Sequence, residues 1–72
     1  MLEKRSFSLS GHRTSVALEP EFWAALGEAA QRDGLSLSAL VTRIDSQRQD
    51  GKPLASALRV FALLNAGRAG AV

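Results

Sequence analysis

Apolar and polar residues alternate twice near the start of the chain, over residues 5–10 and again over residues 12–18. Alternation at a spacing of two predicts half-buried strands. In the second run Thr14, Val16 and Leu18 share one face and Arg13, Ser15 and Ala17 the other; in the first, Phe7 and Leu9 oppose serines. The apolar positions are odd-numbered in one run and even-numbered in the next, so the phase slips by one residue near Gly11. A two-residue hairpin turn at Gly11-His12, with glycine first as a type II′ turn wants, absorbs the slip and sets Leu9 opposite Thr14 and Phe7 opposite Val16. A glycine bulge within one longer strand absorbs it equally well. A strand cannot satisfy its own backbone, so the run at 12–18 needs a partner, either the residues before Gly11 or a second copy of the chain.

From residue 20 the apolar spacing changes to three and four. Pro20 suits the first turn of a helix, and Glu19 and Glu21 complement its positive end. Phe22, Trp23, Leu26, Ala29 and Ala30 then form a stripe, with Gly27 a weak point costing about 1 kcal/mol relative to alanine unless another backbone packs against it. Gly34 is placed to end this helix with a positive φ, and Leu35 supplies the accompanying apolar contact. Ser36 is an N-cap whose hydroxyl accepts from Ser38 or Ala39 N–H. Leu37, Leu40, Val41 and Ile44 stripe the second helix, which gives way to a polar tail at residues 45–50. After the break Gly51-Lys52-Pro53, a third helix repeats Leu54, Ala57, Leu58, Phe61 and Leu64, widened by Val60 and Leu63. It is apolar on most sides, which predicts burial between copies of the chain. Residues 67–72 read as a frayed tail.

Length adds a constraint, because a domain of 72 residues buries only about 60% of the surface its unfolded chain exposes. With 46% apolar residues and no cysteine, the usual remaining support is self-association. The absence of cysteine fits a reducing cytoplasm and removes disulfides and thiolate metal sites. The net charge of +2 says little by itself, but its distribution is uneven: +2 over residues 1–18, −3 over 19–33 and +3 over 34–72. The strand region and the second half therefore suit an anionic partner better than the first helix does. The polar run at residues 3–8 is unlike the apolar core of a secretory signal, and no stretch approaches the ~20 apolar residues of a membrane span, so a cytoplasmic chain without membrane partners is expected.

Strand, proline-initiated helix, glycine turn and serine-capped helix, in that order, resemble the bacterial ribbon-helix-helix family. The likeness is carried by Thr14-Ser15-Val16-Ala17-Leu18, by Pro20 with Phe22, Trp23 and Leu26, and above all by Gly34-Leu35-Ser36-Leu37-Ser38-Ala39-Leu40-Val41. That last run is similar to the family's Gly-x-Ser-x-Ser-x-Leu-(Ile/Val) junction. The resemblance implies a mainly α fold with a short β ribbon: an intertwined homodimer with intersubunit antiparallel strands and, here, an added third helix. It divides the chain into an N-terminal arm or extra strand at 1–11, a ribbon-helix-helix core at 12–50, a C-terminal helix at 51–66 and a tail at 67–72.

The family's function implies double-stranded DNA as partner, with the ribbon in the major groove. Arg13 would then meet guanine O6 and N7, Ser15 would donate to or accept from either base type, and Ala17 would touch a thymine methyl. Ser36, Leu37 and Ser38 match the family's phosphate anchor at the start of the second helix, and Lys4 and Arg5 would extend along the backbone as a basic arm. The dimer core implied is Val16, Leu18, Phe22, Trp23, Leu26, Leu40, Val41, Ile44, Leu58 and Phe61, and a higher oligomer is compatible with it. A hairpin at residues 5–18 would give such a dimer four strands, too broad a sheet for the groove, and Glu19 and Glu21 near the ribbon's end would repel phosphates. Catalysis is not expected: His12 is the sole histidine and has no cysteine or carboxylate at a fixed short spacing. No cofactor or metal is expected either. The alternative function is a protein-interaction module, antitoxin-like or adaptor, that engages a protein partner through the third helix.

Overall fold

The computed structural model describes the backbone of residues 1–70 and the side chains of residues 1–66. Two strands, β1 (Glu3–Leu9) and β2 (His12–Leu18), are followed by helices α1 (Pro20–Arg32), α2 (Leu37–Gln47) and α3 (Leu54–Gly70). Residues 67–70, expected in the tail, continue α3, and residues 71–72 lie outside the described residues.

β1 and β2 form an antiparallel hairpin, so the partner of β2 is the chain's own N-terminal run. The turn is Ser10-Gly11, one residue earlier than the expected Gly11-His12. The register accordingly sets Leu9 opposite His12, Phe7 opposite Thr14 and Arg5 opposite Val16. Ser10 and Gly11 both have positive φ, +53° and +80°. Positive φ at both central positions is the requirement of a type I′ turn, whose twist matches that of the flanking strands, whereas type II′ needs it only at the first. Directly opposed residues share a face, so Phe7, Leu9, Val16 and Leu18 still fall on one side, and all four are buried.

Glu19 precedes α1 with extended backbone, and its carbonyl accepts from Phe22 N–H at 2.9 Å and Trp23 N–H at 3.3 Å. The far end closes as a Schellman motif: Leu35 N–H reaches Ala30 O at 2.8 Å and Gly34 N–H reaches Gln31 O at 3.2 Å, with Gly34 at φ +68°. A Cβ at Gly34 would meet nothing within 4 Å, so it is the backbone angle and not crowding that calls for glycine. Ser36 caps α2 by accepting Ala39 N–H at 3.0 Å.

Trp23, Leu26, Ala29 and Ala30 of α1, Leu40, Val41 and Ile44 of α2, and Leu58 and Ala62 of α3 meet the hairpin's apolar face in one core. Eight of the ten residues that the family resemblance assigns to a dimer core are thus buried within a single chain: Val16, Leu18, Trp23, Leu26, Leu40, Val41, Ile44 and Leu58. Residues of β1 and α3, namely Phe7, Leu9, Leu58 and Ala62, belong to the same cluster. Phe22 and Phe61 remain half-buried, while Val60, Leu63 and Leu64 of α3 are exposed. A salt bridge ties α3 to the β2–α1 junction, Arg59 Nε to Glu19 Oε1 at 3.0 Å, with the same guanidinium 5.8 Å from the Phe22 ring centroid.

Candidate functional site

The hairpin's outer face is built from three cross-strand pairs: Lys4 with Ala17, Ser6 with Ser15, and Ser8 with Arg13. Alternation along each strand puts these six away from the core, and all are exposed except half-buried Ala17. The Ser6 and Ser15 hydroxyls are 3.0 Å apart and share a hydrogen bond. Arg13 Nη1 lies 3.5 Å from Ser8 Oγ across the strands near the turn, a long contact between exposed side chains. Among the described residues no carboxylate belongs to these three pairs.

The same alternation separates Lys4 from Arg5. Instead of extending with Lys4 as a basic arm, Arg5 turns to the opposite face, where its Nε and Nη2 bind Glu3 Oε2 at 3.1 and 2.8 Å. Its guanidinium stands 5.0 Å from the Trp23 ring centroid. The Trp23 indole N–H donates to Glu3 O at 2.7 Å, satisfying the one polar atom of a buried ring. Glu3, Arg5 and Trp23 therefore fasten the open end of the hairpin onto α1.

Glu19 lies at the end of β2 closest to α1. A backbone hydrogen bond at Glu19 and then its bond to Arg59 hold the carboxyl below the usual glutamate range. Its charge is thus met within the chain. At the start of α2, Ser36 spends its hydroxyl on the cap, while Leu37 and Ser38 N–H have no protein partner among the described residues. Leu37 is half-buried and Ser38 exposed. No hydrogen bond or ion pair among the described residues joins this helix start to the hairpin's outer face. The serines of β1 escaped the sequence assignment of site residues, although the alternation that puts Phe7 and Leu9 inside carries Lys4, Ser6 and Ser8 outside.

A concavity of ≈ 310 Å³ near the turn gathers Ser10, His12, Thr14, Asp45 and Arg48. It does not assemble a nucleophile and base: among the described residues His12 bonds to no hydroxyl or carboxylate, and Asp45 is held by Arg48 at 3.0 Å. Among the described residues no group of His, Cys, Asp and Glu could hold a metal ion, and no helix is long and apolar enough to cross a membrane.

No curated protein and no solved structure matches the chain. The family model for the ribbon-helix-helix domain matches residues 2–66, a span that takes in the hairpin, α1, α2 and most of α3. The chain belongs to the ribbon-helix-helix family.

Proposed function

We propose that the protein is a DNA-binding homodimer that regulates transcription by inserting the β ribbon into the major groove. The observation that carries this reading is the outer face of the hairpin, whose three pairs hold Lys4 and Arg13 and, among the described residues, no carboxylate, while Glu3 turns to the other side and pairs with Arg5. Arg13 reads guanine O6 and N7, Ser15 bonds to a base edge, and Ala17 leaves room for a thymine methyl. Lys4 meets a backbone phosphate. The unpaired N–H groups of Leu37 and Ser38, with the positive end of α2 and the Ser38 hydroxyl, receive another. Arg5, committed to Glu3 and Trp23, takes no part.

Titration of duplex DNA at several salt concentrations tests the reading. Affinity should fall with a log–log slope of about −0.9 per phosphate neutralised. Absence of binding even at low salt refutes it. Arg13→Ala should lower discrimination between preferred and scrambled duplexes by about 1–3 kcal/mol, and an equal loss on both would make Arg13 a phosphate contact instead.

A second reading, a protein-interaction module, is favoured by one observation on α3. Val60, Leu63 and Leu64 are 51%, 72% and 73% exposed. Val60 and Leu64 line a groove of ≈ 400 Å³ together with Ile44, Ala57 and Phe61. Surface of this kind supports either the second copy of the proposed homodimer or a different protein. Purification from source cells separates the two functions: a stoichiometric foreign protein favours the module, and nucleic acid without one favours the DNA reading.

A further inference from the structure

We infer that the groove between the end of α2 and α3 binds an amphipathic helix of another protein, one that inserts apolar side chains and carries carboxylates beside them. The inference rests on the protein-interaction reading above and names the partner's chemistry.

Shape narrows the occupant first. On the α3 side the groove of ≈ 400 Å³ is lined by Ala57, Val60, Phe61 and Leu64, and Ile44 of α2 completes the apolar lining. The α3 positions recur at spacings of three and four, so they form one stripe about two turns long, about 10 Å at a rise of about 1.5 Å per residue. Both walls are helices, whose backbone groups are bonded internally. An extended peptide laid against them would find no strand edge and would bury its own N–H and C=O groups unpaired. A helix brings its backbone already satisfied and presents side chains at i, i+3, i+4 and i+7 that match such a stripe.

Charge then selects among helices. Among the described residues no carboxylate lines the groove, whereas Arg48 and Lys52 both do. Arg48 is answered from within: its Nε and Nη2 bond to Asp45 Oδ1 at 3.1 and 3.0 Å, and its Nη1 donates to the Lys52 carbonyl. The loop between the helices is a turn closed by Lys52 N–H to Gln49 O at 3.2 Å, with Gly51 at φ +84° in its third position, the angle glycine takes in a type II turn. Arg48 thus fixes the backbone that carries Lys52. Lys52 itself joins no ion pair among the described residues, and Asp50 of the same turn does not line the groove. Lys52 is the charge that a partner's carboxylate answers.

The chain's own helices do not supply this partner. α3 contains no acidic residue, so the α3 of a second copy would bring Arg59 and no carboxylate to Lys52. α1 exposes Glu21 and Glu28, but its Phe22 lies against Arg59 and its Trp23 and Leu26 are buried. α2 likewise turns Leu40, Val41 and Ile44 inward. Bulky apolar residues and carboxylates available together on one helix therefore come from a different protein.

The test uses the full chain and a displayed library of helix-forming peptides of about 15 residues, about 22 Å long. Selected peptides should carry large apolar residues at i, i+3 or i+4, and i+7, with an excess of Asp and Glu. A fluorescein-labelled copy of the tightest peptide should bind Leu64→Ala about fivefold or more weakly than the parent. Lys52→Glu should weaken it several-fold and should favour a version of the peptide with lysine at its acidic positions. Leu63→Ala, outside the groove lining, should bind as the parent does. Lys52, Leu63 and Leu64 are exposed, and unchanged circular dichroism and thermal midpoints verify that the fold is intact. A library that yields no binder, binders without the acidic excess, or binders indifferent to Leu64→Ala and Lys52→Glu overturns the inference. Self-association that excludes the peptide and is abolished by Leu64→Ala makes a second copy the occupant and overturns it too. If a foreign protein co-purifies stoichiometrically and its binding survives both substitutions, the inference falls while the interaction reading stands. If no protein partner is recovered and no peptide binds, both fall.

Discussion

Replacing Leu58 by alanine tests whether α3 belongs to the chain's own core. Leu58 has no exposed surface and belongs to one cluster with residues of the hairpin, α1 and α2. Truncating such a leucine removes its transfer free energy and leaves a cavity, at a cost of about 2–5 kcal/mol. Marginal stability of roughly 0.05–0.15 kcal/mol per residue gives a chain of 72 residues about 4–11 kcal/mol in all, so the loss is a large share of it. Each 1 kcal/mol moves the midpoint of a domain this small by about 4–8 °C, and the variant should melt at least about 8 °C below the parent. Thermal and urea unfolding followed by far-ultraviolet circular dichroism measures this. Leu63→Ala, on the same helix but 72% exposed, is the internal control, expected to stay within about 0.5 kcal/mol at low protein concentration. A Leu58→Ala variant no less stable than Leu63→Ala would refute the packing of α3 against the core. A Leu63→Ala loss that grows with protein concentration would instead mark α3 as a surface between copies.

Two glycine-to-alanine changes should have opposite signs. Gly34→Ala forces an L-residue to φ +68° and should cost about 1–2 kcal/mol. Gly27→Ala lies inside α1, where the new Cβ meets nothing within 4 Å, and should stabilise by about 0.5–1 kcal/mol; a loss there would reveal a constraint that the packing does not contain. Glu19 gives a pH signature. Its carboxyl is held below the ordinary value, so its contribution is present above the unfolded glutamate pKa of about 4.3 and is lost as pH falls through the lower folded value. Unfolding of Glu19→Gln should therefore depend less on pH across the acid limb than that of the parent, and an identical profile would remove the Arg59 pair from the account.

Local structure was legible because local physics fixes it. Pro20, Gly34 and Ser36 each answer a backbone need at a helix end, and each does so as their residue types predict. The hairpin register was not, because turns at 10–11 and at 11–12 keep the same side chains inward while shifting their cross-strand partners by two residues, so the apolar alternation does not choose between them. Periodicity also says which face of a helix is apolar without saying whose atoms cover it. Leu18, Leu40 and Leu58 read equally well as intersubunit and intrachain core until the path of α3 is known. For the candidate face, Arg13, Ser15 and Ala17 could be assigned to the side away from the core by alternation alone. Lys4 and Arg5 looked alike as neighbouring cations, and only their commitment to a strand divides them between two surfaces.

The fastening of Glu3, Arg5 and Trp23 has an experimental consequence. Trp23 is the only tryptophan, it sits on the dry side of the hairpin, and its N–H is held by a carbonyl of β1. Its fluorescence therefore watches a place where strand and helix are joined rather than the helices alone. Undocking of the hairpin would wet the indole and shift its emission to the red while the helical signal persisted. A molecule bound to the outer face touches no part of the ring, so any emission change it causes has been relayed through the sheet.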